Sequence, residues 1–95
     1  MLTLEQALAE LPDTADDIAV YLTQRGHRGR RGSPCRCPLA AYFCAACGTL
    51  DVIVGRDAIF VGSGGAVVDA LTPEGVGKFM RRFDMGEWLE LVADA

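Results

Sequence analysis

Leu4, Leu8 and Leu11 fall on one helical face behind Thr3-Leu-Glu-Gln6, whose ends form a capping box; Pro12 then closes a short first helix. Thr14-Ala-Asp-Asp17 resembles a second cap. Behind it Ala15, Ile18, Ala19 and Leu22 recur at i, i+3, i+4 and i+7, so a helix is predicted to about Arg25 with Gly26 as its stop. From there to Pro34 the chain is mostly glycine and arginine, with no large apolar side chain, which reads as a surface loop. Pro38 suits the first position of a third helix, running to about Cys47 with Gly48 just past its end. Leu39, Tyr42, Phe43 and the alanines make that helix apolar nearly all round, the mark of burial.

The period then changes. Leu50–Val54 and Ala58–Val61 read as strands joined by the three-residue turn Gly55-Arg-Asp57. Gly62-Ser-Gly-Gly65 reads as a second turn, and Ala66–Asp69 as a third strand. Thr72 is placed to cap, and Pro73 to open, a helix whose Val76, Phe79, Met80 and Phe83 form one stripe, with Lys78, Arg81 and Arg82 off it. Asp84-Met-Gly-Glu87 looks like a further cap, starting a last turn that sets Trp88, Leu91 and Val92 on the core. The expected fold is α+β over residues 1–95 as a single domain. N-terminal helices pack on a two- to three-stranded antiparallel meander, and C-terminal helices follow.

Composition supports one packed core: 95 residues, 51% hydrophobic and 23% charged. The opening MLTLEQALAE has no basic segment and carries Glu5 and Glu10, so a signal peptide is not expected. No uncharged stretch approaches the ~20 residues of a membrane span. The expectation is a cytoplasmic protein without membrane contact, whose four cysteines are thiols or metal ligands before disulfides.

Net charge is −4, but its distribution says more. Residues 25–36 hold five of the nine basic residues and no acid, leaving four basic against 13 acidic elsewhere, a net of −9. An acidic body with one positive loop is a dipole able to steer an anionic partner.

Two segments carry a family likeness. One runs from Ala15-Asp-Asp-Ile-Ala-Val-Tyr-Leu22 through Gly26 and Gly29 to Cys37-Pro-Leu-Ala-Ala-Tyr42; the other is Phe79-Met-Arg-Arg-Phe-Asp-Met-Gly-Glu87 with Leu89 and Leu91. Together they resemble a family of small uncharacterised proteins of actinobacteria and their bacteriophages, over about half the chain. The resemblance implies a compact cytosolic domain and assigns no activity. The chain departs from the family pattern at Trp88-Leu89, where an aromatic-proline pair is usual, and at Cys35, Cys44 and Cys47.

Cys35, Cys37, Cys44 and Cys47 give CxC and CxxC half-sites, the ligand types of tetrahedral zinc. Along a helix, however, Cys37 and Cys44 lie ~10 Å apart, whereas zinc needs its sulfurs within ~4 Å of one another. Only a broken helix would close the site. On an intact one, Cys37, Cys44 and Cys47 pack as small hydrophobes on one stripe of a cysteine-rich helix. As nucleophiles, Cys35 and Cys37 at the helix start would be the favoured thiolates, with His27 the only histidine to serve as base. No paired carboxylates, Ser/His/Asp set or HxxxH motif appears, so the expectation is non-enzymatic, with no catalytic residues and no cofactor. Gly62-Ser-Gly-Gly65 lacks the Lys-Ser/Thr ending of a phosphate loop and lies between strands.

The arginine-rich loop remains as the candidate site. Arg25, Arg28, Arg30, Arg31 and Arg36, with Arg81 and Arg82 contributing, offer forked donors suited to carboxylates or phosphates. The leading expectation is a non-enzymatic interaction domain docking an acidic protein partner, a second copy's acidic face included. A nucleic-acid-binding protein is the alternative, opposed by the acidic body and by the absence of interleaved aromatics. A zinc-stabilised structural module is the third.

Overall fold

The computed structural model describes residues 1–93. Its elements are α1 (Leu4–Glu10), α2 (Ala15–Gln24), α3 (Pro38–Cys47), β1 (Val52–Val54), β2 (Ala58–Ser63), β3 (Ala66–Leu71), α4 (Glu74–Asp84) and a closing 3-10 turn (Leu89–Leu91). The fold is α+β: helices, then an antiparallel sheet ordered β1-β2-β3, then a C-terminal helix.

The caps form where the sequence places them for the first three helices. Thr3 and Gln6 make the reciprocal box, with the Gln6 N–H donating to Thr3 Oγ1 at 3.1 Å and the Thr3 N–H to Gln6 Oε1 at 3.0 Å. The Asp17 N–H donates to Thr14 Oγ1 at 3.2 Å. At α3 the capping acceptor is a thiol: the Ala40 N–H donates to Cys37 Sγ at 3.4 Å, and Pro38 follows at the first helical position. Gly48 ends α3 in the left-handed region, at φ 68°.

Two expected caps do other work. Thr72 does not cap α4; its hydroxyl donates to the Gly55 carbonyl at 2.8 Å, tying the end of β3 to the β1–β2 turn, and Pro73 stands at the N-cap with no side-chain bond. Asp84 is the last residue of α4, and its carboxylate accepts from the Gly32 N–H at 2.8 Å instead of starting a new helix. Strands β2 and β3 also run further than their apolar pattern, to Ser63 and Leu71.

Alternation decides the sheet's faces. Val52 pairs with Val61 and Val54 with Ile59, and all four are buried against the helices. On the other face Ile53, Phe60, Val67 and Leu71 are exposed. Beneath the sheet lie Ile18, Leu22, Leu39, Phe43, Val76, Phe79, Phe83 and Leu91, all fully enclosed. Phe79 stacks with two rings, Phe83 with centroids 5.9 Å apart and Trp88 with centroids 4.9 Å apart. Trp88 reaches that position at φ 56°, a left-handed conformation uncommon outside glycine. Tyr42 is buried on α3 and its hydroxyl donates to the Ala7 carbonyl at 2.6 Å, locking α1 onto α3. None of the helices among the described residues is long and apolar enough to cross a membrane.

Candidate docking surface

The glycine-arginine segment expected as a surface loop is a strap bound down along its length. The His27 N–H donates to the Leu22 carbonyl at 3.0 Å as the strap leaves α2. Gly29 makes a parallel bridge to Val92, its N–H donating to the Leu91 carbonyl and its carbonyl accepting from the Ala93 N–H, both at 2.9 Å. The Arg30 N–H donates to the Arg36 carbonyl at 2.7 Å, and the Val54 N–H to the Pro34 carbonyl at 2.9 Å. With Gly32 held by Asp84, the backbone has partners on α4, β1 and the C-terminal turn.

This backbone sorts the arginines. Gly29 is buried, and a Cβ there would run into the backbone of Arg36 and Cys37, so that side of the strap faces inward. In an extended segment the neighbours take the opposite side, which puts Arg28 and Arg30 toward solvent. Arg31 turns back in. Its Nε–H donates to the Phe83 carbonyl at 2.7 Å and its Nη2 to the Glu87 carbonyl at 2.8 Å, while the guanidinium lies 5.0 Å from the Phe83 ring centre. It therefore adds a charged donor to a carbonyl that already accepts from the Gly86 N–H at 3.1 Å, at the negative pole of that helix.

Arg82 is also committed internally. It donates to both carboxylate oxygens of Glu87 at 2.8 Å and to Asp16 at 2.9 Å, and its guanidinium stands 4.6 Å from the Trp88 ring centre. The hydrogen bond from Arg82 holds the Glu87 carboxyl below its usual range, and the same contacts raise Arg82. Arg25 lies flat over Tyr21, 3.8 Å from the ring centre. Arg28, Arg30, Arg36 and Arg81 are exposed and have no hydrogen bond or ion pair from their side chains among the described residues. Sequence reasoning treated the seven arginines as one set; the structure divides them into tethers and free cations.

The cysteines do not converge. α3 is unbroken from Pro38 to Cys47, with Cys37 capping its start and Cys47 ending it. Among the described residues no three His, Cys, Asp or Glu side chains come together as metal ligands. Cys37 does not behave as the thiolate that its position suggests. Burial pushes its thiol up, and this outweighs the stabilisation from the Ala40 and Leu39 N–H groups. Burial raises Cys44 and Cys47 as well. His27 packs edge-on against Tyr42, ring centroids 5.7 Å apart, and desolvation, then Arg25, lowers its pKa. Tyr42 lies five residues along α3 from Cys37, ~7.5 Å up the axis and on a different face, so no Cys37–His27 pair forms.

Comparison with protein-family models, with curated proteins and with solved structures finds no match for this chain. Its chemistry therefore has to be read from its own groups. For the thiols the expected result is one fast reaction with Ellman's reagent near pH 8, from exposed Cys35, and three slower by at least about tenfold. Cys35→Ser should remove the fast phase; a second fast thiol in that variant would contradict the burial of Cys37 and the partial burial of Cys44 and Cys47.

Proposed function

We propose that this chain is a non-enzymatic interaction domain of the cytosol that takes an acidic segment of a partner protein onto Arg28, Arg30 and Arg36, with Arg81 alongside. The observation that carries the reading is the state of these groups: exposed cations with no side-chain hydrogen bond or ion pair among the described residues, three of them on a backbone already hydrogen-bonded into place. A strap fixed beforehand loses little backbone freedom on binding, so more of the charge–charge attraction remains as affinity. The acidic remainder of the chain supports the choice of partner, because it repels a polyphosphate approaching beyond the strap itself. Arg25, Arg31 and Arg82 serve in a second line, Arg25 stacked beside the strap and the other two holding strap and α4 in place.

The test is fluorescence anisotropy with a glutamate-rich peptide and with single- and double-stranded oligonucleotides, over a range of salt. The peptide is expected to bind, with an affinity that falls as salt rises. The triple reversal Arg28→Glu, Arg30→Glu, Arg36→Glu should weaken it by about 100-fold while leaving the unfolding midpoint nearly unchanged. Oligonucleotide binding that exceeds peptide binding, with a steep salt slope, would replace the protein partner by nucleic acid. Binding of neither probe would end the proposal.

A further inference from the structure

Where the strap crosses the body it borders a half-open cavity of about 180 Å³. Its walls are Pro34, Cys37, Val54, Phe79, Met80 and Phe83, drawn from the strap, the start of α3, β1 and α4. Arg56 and Asp84 stand among its lining as the charged groups. Close-packed interiors hold few voids larger than a water molecule, and an apolar cavity of about 150 Å³ is enough to take benzene. The space is half open at the surface, so a ligand can reach it from solvent. Its rim is held in place. Pro34 is pinned to β1 through the Val54 N–H, Gly32 to α4 through Asp84, and Arg31 to the end of α4 through Phe83.

The lining also selects the occupant. The Cys37 thiol is kept neutral by its burial, so that wall is apolar in character. Asp84 already has an oxygen engaged by the Gly32 N–H. The Arg56 guanidinium, in the β1–β2 turn, is exposed and has no hydrogen bond or ion pair among the described residues. We propose that this cavity binds a small amphiphilic carboxylate, a single aromatic ring or short hydrocarbon chain in the apolar space with its carboxylate on Arg56. The site is separate from the docking arginines and does not depend on that reading.

Benzoate and hexanoate serve as probes and toluene as the neutral control, each titrated into the full chain by ¹H–¹⁵N NMR. Benzoate or hexanoate should give saturable shifts centred on Cys37, Val54 and Phe83, with Kd on the order of 1 mM or tighter. Arg56→Gln, on an exposed turn, should weaken carboxylate binding about tenfold and leave toluene unchanged. Val54→Phe should fill the cavity and abolish all binding. Should that variant fail to fold, peptide-mapped alkylation of Cys37 in Cys35→Ser gives a second readout: a saturating carboxylate slows modification of Cys37. No saturable shift at these residues up to about 20 mM, or shifts centred elsewhere, overturns the site. Carboxylate affinity untouched by Arg56→Gln overturns the assigned ligand class.

Discussion

Gly29→Ala is expected to cost about 3 kcal/mol or more, the largest loss of any single methyl addition on the strap. A Cβ at Gly29 would fall on the Arg36 carbonyl oxygen and the Cys37 carbonyl carbon, and 2.5 Å from the Pro38 nitrogen. All are backbone atoms at the start of α3, where Pro38 and Leu39 are buried, so the neighbour cannot swing aside as a side-chain tip would. The strap must lift instead. Lifting breaks the two bonds to the C-terminal turn and loosens the Arg30–Arg36 bond, each worth about 1 kcal/mol. For a domain this size 3 kcal/mol lowers the thermal midpoint by about 12 °C or more, measurable by circular dichroism. Gly32→Ala is the control. Its φ of 70° strains an alanine by about 1 kcal/mol, yet nothing lies within 4 Å of its added methyl. Equal losses in the two variants would show that Gly29 is not pressed against α3.

The contrast between these glycines explains much of what the sequence conceals. Helices α1 to α3 announce themselves by local chemistry: a threonine three residues before a glutamine or aspartate, a proline at the first turn, a glycine after the last. Their partners lie within four residues, so the pattern contains them. The Gly55-Arg-Asp57 turn and the stripe of α4 are legible for the same reason. Order in the strap comes from bonds between Gly29 and residues about sixty positions later, made by backbone groups common to every residue type. Composition, rich in glycine and arginine, pointed only to a surface loop. Thr72 misleads in a related way, since a hydroxyl before a proline can cap a helix or reach across to a turn, and only the position of Gly55 decides.

At the candidate site the sequence locates the charge and not its use. Arg30 and Arg31 are adjacent and chemically identical, yet alternation along the strap sends one to solvent and the other onto α4. Cys37 shows the same limit: Pro38 marks the helix start, but the burial that pushes the preceding thiol up comes from packing into a core whose members, Val54 and Phe79 among them, are remote in sequence. The cavity has no sequence signature of its own. Its walls are the core residues the periodicity predicts, held slightly apart.

Arg31→Ala is expected to cost about 2 kcal/mol, against changes within about 0.5 kcal/mol for Arg28→Ala and Arg30→Ala. The Arg31 guanidinium makes two charge-assisted bonds, to carbonyls at the end of α4 and beyond it. Without it the Phe83 carbonyl is part-buried and loses this donor. The contact with the Phe83 ring and the favourable charge at the helix C-terminus go as well. Arg31→Lys keeps the charge but offers one compact ammonium where a fork spans two acceptors, so about half the loss should persist. Urea unfolding separates the three variants directly. Binding adds a second readout: Arg31→Ala should weaken the acidic peptide by freeing the strap that carries Arg28, Arg30 and Arg36, whereas Arg30→Ala should weaken it at unchanged stability. Equal stability of Arg31→Ala and Arg30→Ala would mean that the fork does not hold the strap to α4, and the separation of tethers from free cations would fail with it.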